Sequence, residues 1–372
     1  MRPRERLLTT LDHREPDRVP LTARLWLDTR LRLMEHIGVA SDEELNAALG
    51  IEPDRAFIGV RPPADWSPSP EYEGFCEATG YDCREQYATY EEWGVERRLG
   101  SERPSSSLRQ FYFTRHPWEG FTEVGEVEEV ELLDLDAPGR FVEAEETARR
   151  MRDERVVFGE VGHCQWTKAW ELRGMIRFMK DLHTRPRMAA AILDRLNAHY
   201  VDVADRLLDA GAAGLRFSED WGNNKSLFIG REMWRRFFKP RYKKLFDRAR
   251  RRGAFVFFHS DGNIAPIVGD LVEIGIDILN PVQPECMDQA WVKEEYGDRI
   301  TIDTGISVQK TLPLGTVEEV REEVRRTFRQ LAPGGGFVYG TSHYAMYDVP
   351  VENVVALYGA CRRYGAYPID IP

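Results

Sequence analysis

Cysteine is scarce in this 372-residue chain. The five present, Cys76, Cys83, Cys164, Cys286 and Cys361, are odd in number and widely spread. That pattern excludes the disulfide framework of a small secreted domain. Long apolar runs are missing too, and none approaches the ~20 residues of a membrane span. No signal-type apolar core is present. Met1-Arg2-Pro3-Arg4-Glu5-Arg6 reads as the start of an amphipathic helix, so a soluble cytoplasmic protein is expected. Positive charge is in deficit: 51 Lys and Arg face 62 Asp and Glu, a net charge of −11. An acidic surface argues against nonspecific nucleic-acid binding, which needs clustered cations. Internal repeats and low-complexity tracts are absent as well. What remains is 42% hydrophobic and 11% aromatic, enough for a large core.

Residues 1–50 read as helical, with an extended Arg18-Val19-Pro20-Leu21 between two helical patterns. Candidate strands at Val95–Arg98 and Arg109–Thr114 flank Gly100 and Pro104-Ser105-Ser106-Ser107, which suggests a β-hairpin excursion. Residues 66–130 thus read as an insertion, a lid or a subunit contact. From about residue 141 strands alternate with helices. The strands are Val156–Gly159, Gly214–Phe217, Ala254–Phe258, Ile276–Asn280, Ile300–Asp303 and Gly336–Gly340, and a helical stretch spans 231–251. That alternation gives parallel βα units. With one or two strands in the first 65 residues, the count suits a single α/β domain over 1–372. Its expected form is a distorted (β/α)8 TIM-like barrel with N-terminal helices; a two-domain open sheet is the competing architecture.

A barrel gathers its chemistry at the carboxyl ends of its strands. The run Ala254-Phe255-Val256-Phe257-Phe258 opens into His259-Ser260-Asp261-Gly262-Asn263. Other strand ends carry Glu160, His163 and Cys164, then Glu219-Asp220-Trp221, Asn280 and Gln283, Asp303, and Thr341-Ser342-His343. Any one of these reads as a helix cap or a solvated charge. In succession they suggest a rim of ligands and acid/base groups. His259, Asp261 and His343 offer two imidazoles and a carboxylate, a set suited to zinc, iron or manganese. Without a metal, the same groups would hydrogen-bond substrate. Gly334-Gly335-Gly336 precedes a strand rather than opening a helix, so it reads as a tight turn. The Arg/Lys-rich face of 231–251 reads as solvated.

Read in order, these segments resemble the uroporphyrinogen decarboxylase superfamily, which includes cobamide- and corrinoid-dependent methyltransferases. The resemblance runs from Arg4-Glu5-Arg6-Leu7-Leu8 and Glu15-Pro16-Asp17-Arg18-Val19-Pro20 through Phe258–Asn263 and Leu279-Asn280-Pro281-Val282-Gln283. It closes on Gly334–Phe337, His343 and Val349-Pro350-Val351-Glu352-Asn353. It implies a distorted βα barrel with its site at the strand ends. The decarboxylases' Arg-Gln-Ala-Gly-Arg segment is replaced here by Ala23-Arg24-Leu25-Trp26-Leu27-Asp28, and their aspartate has no match near Phe57–Val60. Both departures count against uroporphyrinogen. The methyltransferases hold zinc through His-x-Cys and a later Cys. His259 matches that His, and Asp261 and His343 stand where the two thiolates would be.

The expected function is a metal-dependent methyltransferase or demethylase acting on a small methylated substrate, with a corrinoid protein as partner. His259, Asp261 and His343 would hold the ion, zinc first, with iron or manganese as alternatives. Glu160, Asp220, His259 and His343 are the expected catalytic groups. Arg24, His163, Trp221, Asn280, Gln283 and Asp303 are the expected substrate contacts. The runner-up is a metal-independent decarboxylase, a lyase in which Asp220, His259 and His343 steer protons and Arg24 or Arg61 grips a carboxylate. A third reading is a non-catalytic barrel that binds a corrinoid or tetrapyrrole. Barrels of this kind pair, so a homodimer is a further expectation; neither nucleic acid nor a membrane is an expected partner.

Overall fold

The computed structural model describes residues 1–67, 91–99 and 111–371. Seven strands form one parallel sheet. They are β1 (Arg55–Gly59), β4 (Val156–Gly162), β5 (Gly214–Ser218), β6 (Phe255–His259), β7 (Ile278–Asn280), β8 (Thr301–Ile306) and β9 (Phe337–Thr341), hydrogen-bonded in that order. The other two, β2 (Glu96–Leu99) and β3 (Phe111–Arg115), pair antiparallel, as the hairpin reading expects. Its turn, with Gly100 and Pro104–Ser107, lies outside the described residues, as do Cys76 and Cys83.

The sheet curls strongly. β1 and β8 stand five places apart, which in a flat sheet would separate them by ~24 Å at ~4.8 Å per strand. Yet Arg55 Nη1 on β1 lies 2.5 Å from Asp303 Oδ2 on β8. Only a sheet rolled toward a barrel brings those side chains together.

Eight strands were expected and seven are present among the described residues. The extended segment around Leu21 takes the place beside β9, as a parallel bridge from Leu21 to Tyr339 and a second from Leu25 to Ala345. Pro20 explains why no full strand forms: it has no N–H to donate to a ladder. Its carbonyl still accepts from Tyr339 N, and Thr22 N donates to Tyr339 O. A Cβ on Gly340 would collide with the Thr22 carbonyl, so glycine is what permits this close approach. No ladder joins the segment to β1 among the described residues, and the barrel is open there.

Side chains alternate along each strand, so register fixes what faces inward. The inner face carries Phe57 and Phe158, opposed across β1 and β4, and then Phe257, Ile278 and Val338. Leu7 and Leu11 of the helix Pro3–Leu11 pack onto this layer and plug the end where the strands begin. The polar layer above it, at the strand ends, is left for chemistry. Outside the sheet, helices bury apolar stripes against it. Val320, Val324, Phe328 and Leu331 line one face of Val317–Leu331, which starts with a Thr316/Glu319 capping box.

The helix expected over 231–251 is two, Arg231–Phe237 and Lys239–Arg251. Pro240 supplies no N–H to the preceding turn, so the helix ends and restarts. Its basic residues are not all solvated, because Arg231, Arg235 and Lys239 converge on the buried Asp270. Gly334, Gly335 and Gly336 all have positive φ and form a tight turn held by Glu15 and Lys293. No helix among the described residues is long and apolar enough to cross a membrane.

Candidate metal centre

The loops after β5 and β6 pack backbone to backbone. Gly262 has φ +84°, and a Cβ there would strike the Gly222 carbonyl group. Asn263 N donates to Asn223 O at 2.8 Å, and Glu219 N to His259 O at 2.8 Å. Gln283 accepts from Gly262 N and steadies the same turn. This packing sets Asp220 beside Asp261, whose N–H donates to Asp220 Oδ1 at 3.3 Å.

His259, Asp261 and Asp220 therefore converge, with one donor atom from each lying within 4.8 Å of the others. The tautomer of His259 follows from its neighbours. Asn280 Nδ2 donates to the carbonyl and carboxylate of Asp303 at 3.0 and 2.9 Å, so Asn280 Oδ1 is the acceptor side. That oxygen receives Arg24 Nη2 at 2.7 Å and His259 Nδ1 at 2.7 Å. Nδ1 must carry the proton, which leaves the Nε2 lone pair facing Asp261. Burial holds the imidazole neutral, well below its ordinary pKa, against the pull of Asp261.

The two carboxyls are pushed in opposite directions. Burial disfavours charge on Asp261, but His343, His259 and Arg24 together outweigh it and hold the group below the usual range. Asp220 is raised, first by desolvation and then by the Asp261 carboxylate. Its side chain is exposed at one edge of the cluster. Asp261 Oδ1 is buried and meets no hydrogen-bond partner among the described residues. An unsatisfied carboxylate oxygen beside a free imidazole lone pair fits a divalent cation.

The expected ligand set is thus altered. Asp220 stands in the cluster, whereas His343 reaches only Asp261, Nε2 to Oδ2 at 3.2 Å, and is 40% exposed. Trp221 is not a substrate contact. It is fully buried against Trp166 and Phe238, because its indole completes an aromatic core behind the sheet. Cys164 is buried against Glu219, whose carboxylate accepts the N–H groups of Cys164, Gln165 and Thr167. Gln283 shapes the loop, and Asn280 and Asp303 act through His259 and Arg55.

A cavity of about 630 Å³ lies between β1, the ends of β4 and β5, and the Leu21–Arg24 segment; Asp220, His259, Asp261 and His343 are not in its lining, and Arg24, bonded to the same Asn280 oxygen as His259, links the two. Arg24, Glu160, His163 and Asp303 are in its lining. Glu160 is tied to Arg216 and Ser218, and His163 to Glu171. Arg216, Phe57 and Arg55 also line it and escaped the sequence reading. The signal was there: Arg216 interrupts Gly214-Leu215-Arg216-Phe217, and a charge inside an apolar strand marks the face turned to a polar interior.

No curated protein sequence matches the chain. Among solved structures, a methyltransferase from Methanosarcina mazei is similar at 20% identity and a TM-score of 0.65, over 98% of this chain and 99% of its own. A B12-independent methionine synthase from Shewanella sp. W3-18-1 is similar at 10% identity and a TM-score of 0.39, over 72% of this chain and 75% of its own. The sequence pattern of the family described as Uroporphyrinogen decarboxylase (URO-D) matches residues 116–364, about two-thirds of the length, including β4 through β9 and every residue of the cluster. The chain belongs to the uroporphyrinogen decarboxylase family.

Proposed function

We propose that this protein is a metal-dependent methyltransferase or demethylase whose ion, zinc, iron(II) or manganese(II), is held by His259, Asp261 and Asp220. The observation that carries the reading is the tautomer of His259, whose Nε2 lone pair faces a buried carboxylate with an unpartnered oxygen. A donor set of one imidazole and two carboxylates suits such ions better than a soft, thiolate-seeking one. The fold is shared with the Methanosarcina methyltransferase, and the acceptor we assign is a corrinoid carried by a partner protein.

When bound, the ion would act as a Lewis acid on a substrate oxygen or thiol. The chain's own groups do the rest. In demethylation of an ether, the carbon–oxygen bond breaks, the electron pair stays on oxygen, and that oxygen takes up a proton. His343 is partly exposed, is hydrogen-bonded to Asp261 through Nε2, and exchanges that proton with solvent. Arg24 and the Glu160–Arg216 pair orient the substrate body.

The test is elemental analysis of protein purified anaerobically without added metal. Close to one divalent ion per chain is expected, lost in His259→Ala and Asp261→Ala and retained in His343→Ala. Chelation should abolish methylation of cob(I)alamin by the methylated substrate. A chain that neither contains nor takes up metal would remove this reading. One observation favours a second: Arg24 faces the cavity without a carboxylate partner among the described residues, as a metal-independent decarboxylase would need. That enzyme would keep full activity in chelator.

A further inference from the structure

The charged groups lining the cavity are unevenly paired. Among the described residues, four guanidinium groups line it. Arg55 is paired with Asp54 and Asp303, Arg61 with Glu143, and Arg216 with Glu160. The carboxylates that line it are committed too: Glu160, Asp54 and Asp303 in those pairs, and Glu52 to Arg6 and Arg18. Arg24 alone has no carboxylate in direct contact among the described residues; its guanidinium donates to the neutral Asn280 amide. The charge of Arg216 acts against it, and those of Asp303 and Asp261 act for it without touching it. The lining thus presents one guanidinium with no direct ion pair.

The lining also includes an aromatic surface. Phe57 points inward from β1 and is 42% exposed, although it lies in the interior of the sheet. Phe158 and Phe257 pack on it with centroids 6.0 and 6.4 Å away, and Arg216 lies 5.4 Å from its ring. The rest of the ring is left open to the cavity. An exposed aromatic face in a concave site is where a flat apolar ligand gains most, because stacking adds to area burial.

We propose that this cavity binds an aromatic monocarboxylate, its ring on Phe57 and its carboxylate on Arg24. One free guanidinium matches one carboxylate; a polyacid would leave its other charges unpaired in a walled site. The position is productive, because Arg24 and His259 share the same Asn280 oxygen, which sets the bound acid next to the cluster. The inference rests on the transferase reading only for what then happens to the ligand.

Calorimetric titration of the full-length protein with benzoate tests it, with acetate lacking the ring and benzyl alcohol lacking the charge. Benzoate is expected to bind at least tenfold tighter than either. Arg24→Gln and Phe57→Ala should each weaken it tenfold or more, and Arg24→Lys should restore part of the loss. Benzoate no tighter than acetate, or undiminished in a folded Arg24→Gln, overturns the proposal. Should Arg24→Gln fail to fold, the ligand series on the unaltered protein decides alone. The Asp261→Ala protein separates the two readings. Benzoate binding there without metal supports the subsite whatever the fate of the transferase; metal uptake by the unaltered protein without benzoate binding overturns the subsite alone.

Discussion

Asn280 serves three neighbours with one amide group. Its oxygen receives Arg24 and His259, and its nitrogen bonds Asp303. Groups behind a ligating histidine set its tautomer and aim, and their loss typically weakens metal binding 10–100-fold. Asn280→Ala is therefore expected to stay folded and to lose metal affinity within that range, as measured by competition with a chelator. Asn280→Asp keeps an acceptor for Nδ1 and should lose less. Equal affinity in Asn280→Ala would show that His259 is held by something else. None of this was legible residue by residue. The sequence marks His259, Asp261 and Asn280 as strand-end polar groups, but which nitrogen of His259 stays free depends on a hydrogen-bond chain reaching from residue 24 to residue 303.

The elements were more legible than the site. Apolar runs of four to seven residues bounded by glycine and polar groups located β4 to β9, because burial on both faces of a parallel sheet leaves little choice of residue. The N-terminal strand was not legible as such. Pro20 prevents a regular ladder, and the Leu21 segment finds its partners at Tyr339 and Ala345, far along the chain. Likewise, Asp220 reads as one acid among several until the β5 and β6 loops are seen to touch. That contact is testable at Gly262. An alanine there must adopt φ +84° and push into the Gly222 backbone. The expected cost is about 1–3 kcal/mol by urea denaturation. Metal content should fall with it, since the shift parts Asp220 from Asp261. Stability lost with metal content intact would show that the loops are held apart from their ligands.

The whole molecule carries an acid sensitivity outside the metal cluster, at a residue in the cavity lining. His199, on the helix Pro186–Asp209, is buried, and desolvation together with Arg140, Lys168 and Arg195 pushes it down to about 4. The unfolded chain takes up that proton near 6.5 and the native one only near 4. Its contribution to stability is thus complete above about pH 6.5 and drains away as pH falls toward 4, up to about 3 kcal/mol. Urea midpoints across that window should fall, and less steeply in His199→Gln; identical slopes would assign the acid sensitivity to other groups. The junction of the first and last segments has its own consequence, in time rather than energy. Val19 bonds Gly365, Thr22 bonds Tyr339, and Arg24 donates its backbone N–H to Thr341. On a ribosome adding ~5–20 residues per second, Arg24 emerges early and waits at least ~15 s for its seat to be synthesised. Arg24 is fully placed only once Thr341 exists, so a nascent chain lacking β9 holds its metal ligands and Asn280 but not the backbone seat of the arginine.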